Sequence, residues 1–153
     1  MPTLLRNRYA HYDYQIEEEY EAGIKLLGHE VKSLKEGKGT LAGTYVKVDQ
    51  SGLSLVGLNI PLYSKAGITL PYYDPQRTRR LLLNKTEIKS ITGRVERSGY
   101  TVIPLKMYTK GTLLKLSIGL GRGKKKAQKK ADLIAKERDR QAERELKESG
   151  FNK

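Results

Sequence analysis

The stretch YTVIPLKMYTKGTLLKLSIGL, residues 100–120, decides the fold class of this chain. Over residues 114–120, leucine or isoleucine alternates with lysine, serine or glycine, which is the period-two pattern of a strand with one buried face. The apolar run over residues 100–108 predicts another strand, and the turn signal TKGT joins the two. Pro104 indicates an edge strand or a bulge, because proline donates no ladder hydrogen bond. The sequence therefore predicts a β-rich body.

Similar signals divide the rest of this body into short elements. Alternating residues predict a strand from Tyr12, and residues 44–48 and 53–58 predict a hairpin around the turn DQSG. The segment RTRRLLLN is predicted to be extended. Residues 59–76 contain three prolines, which indicates an irregular surface connection.

Two short helices are predicted between the strands. The first is HEVKSLKE, which lies between two glycines. The second covers residues 85–92, because Asn84 and Glu87 have the spacing of a capping box and Gly93 suits the far end. Five or so strands with two short helices indicate a mainly β fold, and a small OB-like β-barrel is the most economical arrangement.

The chain divides into a barrel, residues 1–120, and a basic C-terminal tail, residues 121–153. Six of the ten residues from 121 to 130 are Lys or Arg. The tail has little apolar surface to bury, so we expect it to be disordered alone and helical, over residues 127–149, when bound to an anionic partner. Its first glycines are expected to loosen the exit from the last strand.

The net charge is +13, from 30 basic and 17 acidic residues. The tail contains 12 basic and 6 acidic residues, so the body carries the remaining +7. Both parts are therefore positive, which indicates an anionic partner, and RNA is the first candidate.

Several classes of site and location are excluded. The chain has no cysteine, which excludes disulfides, thiolate metal sites and cysteine nucleophiles. The first ten residues lack the apolar segment of a signal peptide, and no apolar run approaches the ~20 residues of a membrane span. We therefore expect a cytoplasmic protein with no membrane partner and no cofactor.

Glu17, Glu19 and Glu21 are the residues most suggestive of catalysis. On one strand face they would supply carboxylates to a two-metal nuclease, but no other Asp or His obviously joins them. A solvated strand end and hydrogen bonding to the amino groups of RNA bases are the alternatives. His11 and His29 form neither a metal signal nor a Ser-His-Asp pattern, and both are expected at the surface.

A basic stretch precedes the second helix. Arg77, Arg79, Arg80 and Lys85 lie within nine residues, either as a solvated edge or as a stripe that contacts phosphates. Ten tyrosines, with one Phe and no Trp, add aromatic faces on which unpaired bases stack.

Four collinear motifs carry a resemblance to a known family. The segment NRYAHYDYQIEEEYEAGIKLLGHEVKSLKEGKGTLAGTYV, followed by DPQRTRRLLLNKTEI, GRVERSGYTVIPLKMY and the GKK opening of the tail, resembles the SsrA-binding protein (SmpB) family, the protein partners of transfer-messenger RNA. The resemblance extends from about residue 7 to residue 130, with a similar charged tail beyond.

The resemblance implies an OB-like barrel and a non-enzymatic role in trans-translation. Members bind the tRNA-like domain of transfer-messenger RNA and help to bring it, alanylated and with elongation factor Tu, to stalled bacterial ribosomes. The tail enters the empty mRNA channel and decoding centre of the small subunit, the stalled peptide is tagged, and the ribosome is rescued. We expect this chain to act as a monomer.

Matching motifs also carry over the residues expected to bind RNA. The resemblance places on the RNA-binding surface Asn7, Tyr14, Glu21, Leu82 and Asn84, with added contacts from Arg8, Lys32, Lys38, Arg77, Arg79, Arg80 and Lys85. The tail residues expected to contact the ribosome are Lys124, Lys125, Lys129, Lys130 and Arg138. No catalytic or metal-binding residue is expected.

The tail departs from the family at one motif. After GKK, the family has His or Tyr, then an acidic residue, then Lys-Arg, whereas this chain has Lys126, Ala127, Gln128, Lys129 and Lys130. Ala127 cannot stack on a base, and Gln128 brings no negative charge. Contacts to the ribosome are therefore expected to rely on phosphates and to be sensitive to salt.

Two other hypotheses make different predictions. A ribosomal or general RNA-binding protein with an OB-like body would bind almost wholly through phosphate charge, and so would lose most of its affinity as salt rises. A nuclease would cleave RNA in the presence of Mg²⁺. The trans-translation factor would retain salt-resistant binding to one RNA shape.

Overall fold

The computed structural model describes residues 2–63, 71–124 and 126–148. In these ranges the chain forms seven strands and four helices. In chain order they are β1 (Thr3–Arg6), α1 (Ala10–Asp13), β2 (Tyr14–Ile24), α2 (Gly28–Lys35), β3 (Tyr45–Asp49), β4 (Gly52–Val56), β5 (Arg79–Leu82), α3 (Lys85–Ser98), β6 (Thr101–Lys110), β7 (Leu113–Gly123) and α4 (Lys126–Glu148).

The strands form one antiparallel sheet in the order β1-β6-β7-β2-β5-β4-β3. The short strand β5 joins the two halves of this sheet, because it pairs with β2 on one side and β4 on the other. The sheet curls until β3 lies against β6, yet the described end strands β1 and β3 are not hydrogen-bonded neighbours. The predicted mainly β, OB-like class is confirmed, with a barrel that is left open.

The hydrophobic core lies on the concave side of the sheet. β7 contributes Leu116, Ile118 and Leu120, all fully buried, and the hairpin β3–β4 contributes Leu53 and Leu55. This is the face that the period-two pattern predicted. In the described ranges, no helix is long and apolar enough to cross a membrane.

A second, smaller apolar cluster covers one end of the convex side. It comprises Ala10 of α1 with Ile103 and Leu105 of β6, and Tyr14 and Ile16 pack against it. This cluster packs the short helix α1 against the sheet.

Glycines of β7 allow β2 to approach closely at this end. A Cβ atom on Gly121 would lie 2.1 Å from the carbonyl oxygen of Gln15, and one on Gly119 would lie 2.9 Å from Cγ2 of Ile16. These glycines therefore belong to the strand. The expectation from the sequence that they loosen its exit is wrong. β7 continues through Gly123, so the body extends three residues beyond the predicted boundary at residue 120.

Helix α3 is longer than predicted. It begins at the Asn84–Glu87 capping box as expected, but it continues through Gly93 and ends at Ser98, with Gly99 at φ 66° as its C-terminal cap. The prediction that this helix ends at Gly93 is wrong, because Arg94 in the next turn forms an ion pair with Glu18, 2.7 Å away. An interior glycine costs only about 1 kcal/mol relative to alanine, which tertiary contacts overcome.

The first strands also differ from the prediction. β1 covers Thr3–Arg6, where no strand was predicted, and Tyr12 lies in α1, so β2 begins two residues later than expected. Pro104 lies in β6 between β1 and β7, which excludes the edge-strand alternative, and the register shift between Pro104 and Lys106 confirms the bulge.

The helix predicted for the tail is present as α4, while its predicted disorder without a partner stays a prediction. Residues 59–63 and 71–76 contain no strand, in agreement with the irregular connection expected there, apart from a single bridge between Asn59 and Thr40. Residues 64–70 and 149–153 lie outside the described residues.

We expect the substitution Gly121→Ala to lower the free energy of unfolding by at least about 2 kcal/mol, because the added methyl group would overlap the backbone of β2. Urea denaturation of the two proteins measures this. Gly123→Ala is the matched control: a Cβ atom there meets nothing within 4 Å, so the change should stay within about 0.5 kcal/mol. Equal effects of the two substitutions would contradict the close approach.

Candidate nucleic-acid interface

The convex side of the sheet carries a row of basic residues at the end away from α1. In register across the strands, Arg6 lies opposite Lys106, Lys106 opposite Ser117, and Ser117 opposite Glu21. Directly opposed residues share a face of the sheet. Arg6 and Lys106 are both exposed, so β1 and β6 present two cations side by side.

The next row continues the same face. Tyr108 lies opposite Lys115, Lys115 opposite Gly23, and Gly23 opposite Leu82. Lys110 is two residues beyond Tyr108, and its Nζ atom lies 3.3 Å from Oε1 of Glu21. We call this surface the basic sheet face and define it as Arg6, Lys106, Lys110 and Lys115 around Tyr108, Glu21 and Leu82.

The Tyr108–Glu21 hydrogen bond is at the centre of the basic sheet face. The hydroxyl of Tyr108 donates to Oε2 of Glu21, and Nζ of Lys106 lies 5.6 Å from the centre of the tyrosine ring. Burial and the bond to Glu21 raise the pKa of Tyr108 to about 12. The bond from Tyr108 lowers the pKa of Glu21, and Lys110 adds to this. Glu21 therefore stays ionised, with one oxygen bound by Tyr108 and the other by Lys110.

Three predicted residues at and after the end of β5 have different roles. Leu82 is 47% exposed although it is a large apolar residue, so it offers an apolar surface next to the lysines. The Oδ1 atom of Asn84 accepts the hydrogen bond of the Glu87 amide, 2.8 Å long, as a helix cap does. Lys85, the first residue of α3, is exposed.

The predicted residues near the N-terminus begin directly after Arg6 of the basic sheet face, which lines the same open cleft. Asn7, Arg8 and Tyr14 line an open cleft of about 840 Å³ between β1, β6 and residues 39–45. The amide of Asn7 also donates to the Pro104 carbonyl, 2.9 Å away. Tyr14 and Gly23 are nine residues apart on β2, which is about 30 Å of strand. Tyr14 and Leu82 are therefore far apart, while Arg6 connects the basic sheet face to the cleft that Asn7 and Arg8 line.

Arg79 was wrongly predicted to contact phosphates. Its side chain is fully buried and pairs with the equally buried Glu30, the Nε–Oε2 distance being 3.0 Å. It also donates to the carbonyls of Leu58 and Pro75. A buried and fully bonded guanidinium cannot reach RNA, so Arg79 holds the fold together.

The neighbouring arginines are also engaged within the protein. Arg77 pairs with the other oxygen of Glu30, and Arg80 donates to the carbonyl of Ser51; both are half-buried. Lys32 is exposed with its Nζ atom 5.8 Å from the Tyr63 ring, and Lys38 lies 3.9 Å from Glu36. The stretch of arginines is therefore mainly structural, while the two lysines stay candidates.

Burial alone would raise the pKa of Glu30, but this effect is more than reversed. Hydrogen bonds from Arg77, from the Leu27 amide and from Arg79, together with the charge of Arg79, lower the pKa to about 2. The pKa of Tyr73, which also donates to Glu30, is raised to about 12 by burial and by this bond. The ionised carboxylate is thus strongly preferred in the folded state.

We expect the Glu30 network to stabilise the protein fully above pH 4.5 and to lose its contribution as the pH falls toward 2, because the folded pKa is below the unfolded value of 4.5. That difference corresponds to about 3 kcal/mol. Unfolding free energies of the wild type and Glu30→Gln, measured by urea denaturation from pH 7 to pH 2.5, should differ most at pH 7 and converge on acidification.

The exposed substitution Glu143→Gln serves as the control and should give no such convergence. A wild-type advantage over Glu30→Gln that stays constant down to pH 2.5 would contradict the assignment.

Glu17 and Glu18 of β2 are paired with arginine and tyrosine. Glu17 and Glu18 lie 3.5 and 2.7 Å from Arg94, and the Tyr100 hydroxyl donates to Glu17. A bulge lies between Ile16 and Glu18. It interrupts the alternation that would place Glu17 on the same strand face as Glu21, and the two carboxylates have different partners. In the ranges that the structure describes, no three His, Cys, Asp or Glu residues are grouped to hold a metal.

His29 was expected at the surface and is instead half-buried. Its ring lies edge-on to Tyr73, with centroids 4.5 Å apart. Both ring nitrogens are buried and have no hydrogen-bond partner within the described part of the chain.

The predicted tail residues divide into two sets. Lys124 pairs with Asp132, and Lys129 lies 3.2 Å from Asp13 of α1, so these two are bound to the protein itself. Lys130 and Arg138 are exposed. Lys125 lies outside the described residues.

Sequence reasoning missed the lysines of the basic sheet face. The signal for Lys115 was present, since it alternates with the buried leucines of β7 and must face away from them. Lys106 follows a bulge, and Arg6 lies in a strand that was not predicted, so pattern alone could not place either beside Lys115. The Glu30 network was missed because its partners are 47 and 49 residues apart.

Comparisons with known proteins agree on one family. A family model described as SmpB protein matches residues 4–148. An SsrA-binding protein of Roseiflexus sp. (strain RS-1) is 45% identical over 142 residues, which are 93% of this chain and 89% of the relative. One from Anoxybacillus flavithermus is 41% identical over 145 residues, or 95% and 93% of the two chains.

A solved structure has the same fold. It is described as "tmRNA-SmpB: a journey to the center of the bacterial ribosome", and one of its chains is 43% identical to this protein with a TM-score of 0.64. The alignment covers 79% of this chain and 84% of that chain.

Proposed function

This chain belongs to the SmpB family of SsrA-binding proteins, and from that premise we propose that it binds the tRNA-like domain of transfer-messenger RNA and acts in the rescue of stalled bacterial ribosomes by trans-translation. Its relatives are named for binding SsrA RNA, and its structural neighbour is described as tmRNA-SmpB in the bacterial ribosome. The role is one of binding and delivery, without catalysis.

The observation that carries this proposal is the basic sheet face. Four cations from three strands lie beside Glu21 of β2, and Glu19 is two residues before it on the same strand, so this described surface is net positive. Strand pairing fixes the spacing of these four cations. They therefore contact phosphates along a defined path of the RNA backbone, in addition to attracting RNA through net charge. Leu82 beside them supplies an apolar surface for an unpaired base.

Glu21 acts within this face by organising it. One carboxylate oxygen holds the Tyr108 hydroxyl and the other holds Lys110. Each oxygen has further lone pairs, so the carboxylate still accepts from a base amine. The residues carried over by resemblance, Glu21 and Leu82, therefore take part together with lysines that the resemblance did not indicate.

The tail supplies the ribosome-binding part of the function. Helix α4 is exposed along the length whose side chains are described beyond Asp132, and it presents cations such as Lys130 and Arg138. At 1.5 Å per residue its 23 residues extend for about 35 Å. We assign this helix to the mRNA channel and decoding centre of the small subunit.

The remaining partners follow from this role. Elongation factor Tu joins indirectly, through alanylated transfer-messenger RNA, and the protein works as a monomer in the cytoplasm, where ribosomes are found. The cleft lined by Asn7, Arg8 and Tyr14 forms a second RNA contact that adjoins the first through Arg6. Its far side, at Tyr14, is about 30 Å along β2 from Gly23, which pairs with Leu82.

We expect the triple substitution of Lys106, Lys110 and Lys115 by alanine to weaken binding to the isolated tRNA-like domain by at least tenfold at moderate salt. Because each phosphate contact adds about 0.9 to the slope of log affinity against log salt, the slope should fall by about 2 to 3. Filter binding at four salt concentrations measures both quantities.

The matched control removes Lys35, Lys47 and Lys89, which are exposed on α2, β3 and α3. It has the same net charge as the first variant. If the control loses as much affinity and slope as the first variant, the protein binds by overall charge alone and the general RNA-binding hypothesis is the better one.

A further inference from the structure

The base of helix α4 is attached to the short helix α1. The Lys124 amide donates to the Asp13 carbonyl, 2.8 Å away, and the Lys129 Nζ atom lies 3.2 Å from Oδ1 of Asp13. The same Nζ atom lies 5.8 Å from the centre of the Tyr12 ring. One acidic residue of the body therefore holds the tail at two points, through its backbone and its side chain.

A second ion pair lies within the tail, next to this junction between α1 and α4. Lys124, the last described residue before α4, pairs with Asp132 of α4. Between α1 and α4 lies a cavity of about 290 Å³ lined by residues including His11, Tyr12, Leu133 and Lys136. In the described residues, α4 contacts no other helix or strand as extensively as it contacts α1.

Helix α4 depends on such a contact. Its sequence is strongly charged and offers little apolar surface to bury, and forming the first turn of any helix is unfavourable until propagation compensates. A fixed first turn removes that penalty. The junction therefore favours the helix and also sets the direction in which it leaves the body.

We propose that Asp13 is a positioning residue for the tail: it starts helix α4 and fixes its angle relative to the basic sheet face. α1 leads directly into β2, and β7 leads directly into α4, while Tyr14 pairs with Gly123 where the two strands meet. One ladder thus carries Lys115 of the basic sheet face at one end and the tail at the other, about 30 Å apart.

Direction matters because the helix is long. A rotation of 10° at its base moves the far end of a ~35 Å helix by roughly 6 Å, more than one turn of a helix. A tail attached only by a flexible joint would vary widely in direction. Its cations would then seldom lie at a fixed position relative to the basic sheet face. The role on the ribosome rests on the proposed function, whereas the junction itself does not.

The test uses the full-length protein without RNA and measures amide hydrogen exchange over residues 129–136. Asp13→Asn should increase exchange there about two- to fivefold, the range expected for a partly exposed ion pair. The control Glu96→Gln, an exposed residue of α3, should leave exchange unchanged. The charge reversal Asp13→Lys should increase exchange at least as much, and the added change Lys129→Asp should restore protection.

Restored protection in the double variant supports the proposal, because a loss caused by damage to α1 would not be repaired by a change in α4. If Asp13→Asn and Glu96→Gln have the same exchange, or if the double variant is no better protected than Asp13→Lys, the proposal is overturned.

A second measurement separates this inference from the proposed function. With transfer-messenger RNA at a concentration that saturates both proteins, Asp13→Asn should lower peptide tagging on stalled ribosomes by about two- to fivefold, so that any change in RNA affinity through the cleft that Asp13 also lines does not contribute. Unchanged tagging overturns the positioning role. Failure of the wild type to bind the tRNA-like domain would instead overturn the proposed function and leave the exchange result standing.

Discussion

The buried ion pair between Glu30 and Arg79 is the interaction on which the rest of the structure depends. Strand β5 joins the two halves of the sheet with only two residue pairs on each side, too few to hold it by themselves. Arg79 of this strand binds Glu30 of α2 and carbonyls of the chain that follows β4. Removing one partner of such a pair costs about 3–5 kcal/mol, because the other charge is left buried and unpaired. Leu82 keeps its place beside Gly23 only while β5 is held.

The arrangement separates two uses of positive charge. The arginines before α3 are mostly engaged inside the protein, where a guanidinium satisfies several acceptors at once. The lysines of β6 and β7 lie on an open strand face, where each is a compact point charge suited to phosphate. Glu21 and Tyr108 order this face, and the tail leaves from the opposite end of the same ladder. Body and tail are thereby able to contact different parts of a large RNA assembly.

Local signals predicted much of this fold, and distant contacts account for what they missed. The alternation in β7, the hairpin turn and the Asn84 capping box each involve residues a few positions apart, and all three formed. Arg79 was misplaced because its partner Glu30 is 49 residues away, so nothing near it in the sequence distinguishes a buried arginine from an exposed one. Gly93 was a reasonable helix end by pattern, but Arg94 contacts a distant strand and carries the helix onward. The distance between Tyr14 and Leu82 could not be predicted without the register of β2.

The central claim is that the body recognises one RNA shape while the tail remains available to the ribosome. Its most direct test is a titration of the labelled tRNA-like domain of transfer-messenger RNA at moderate salt, with excess bulk tRNA as competitor. The full chain is compared with a chain that ends at Lys124, which keeps all of β7 and its bond to Asp13. We expect both proteins to bind tightly and bulk tRNA to compete poorly. Loss of binding on truncation, or equal competition by bulk tRNA, would contradict the claim.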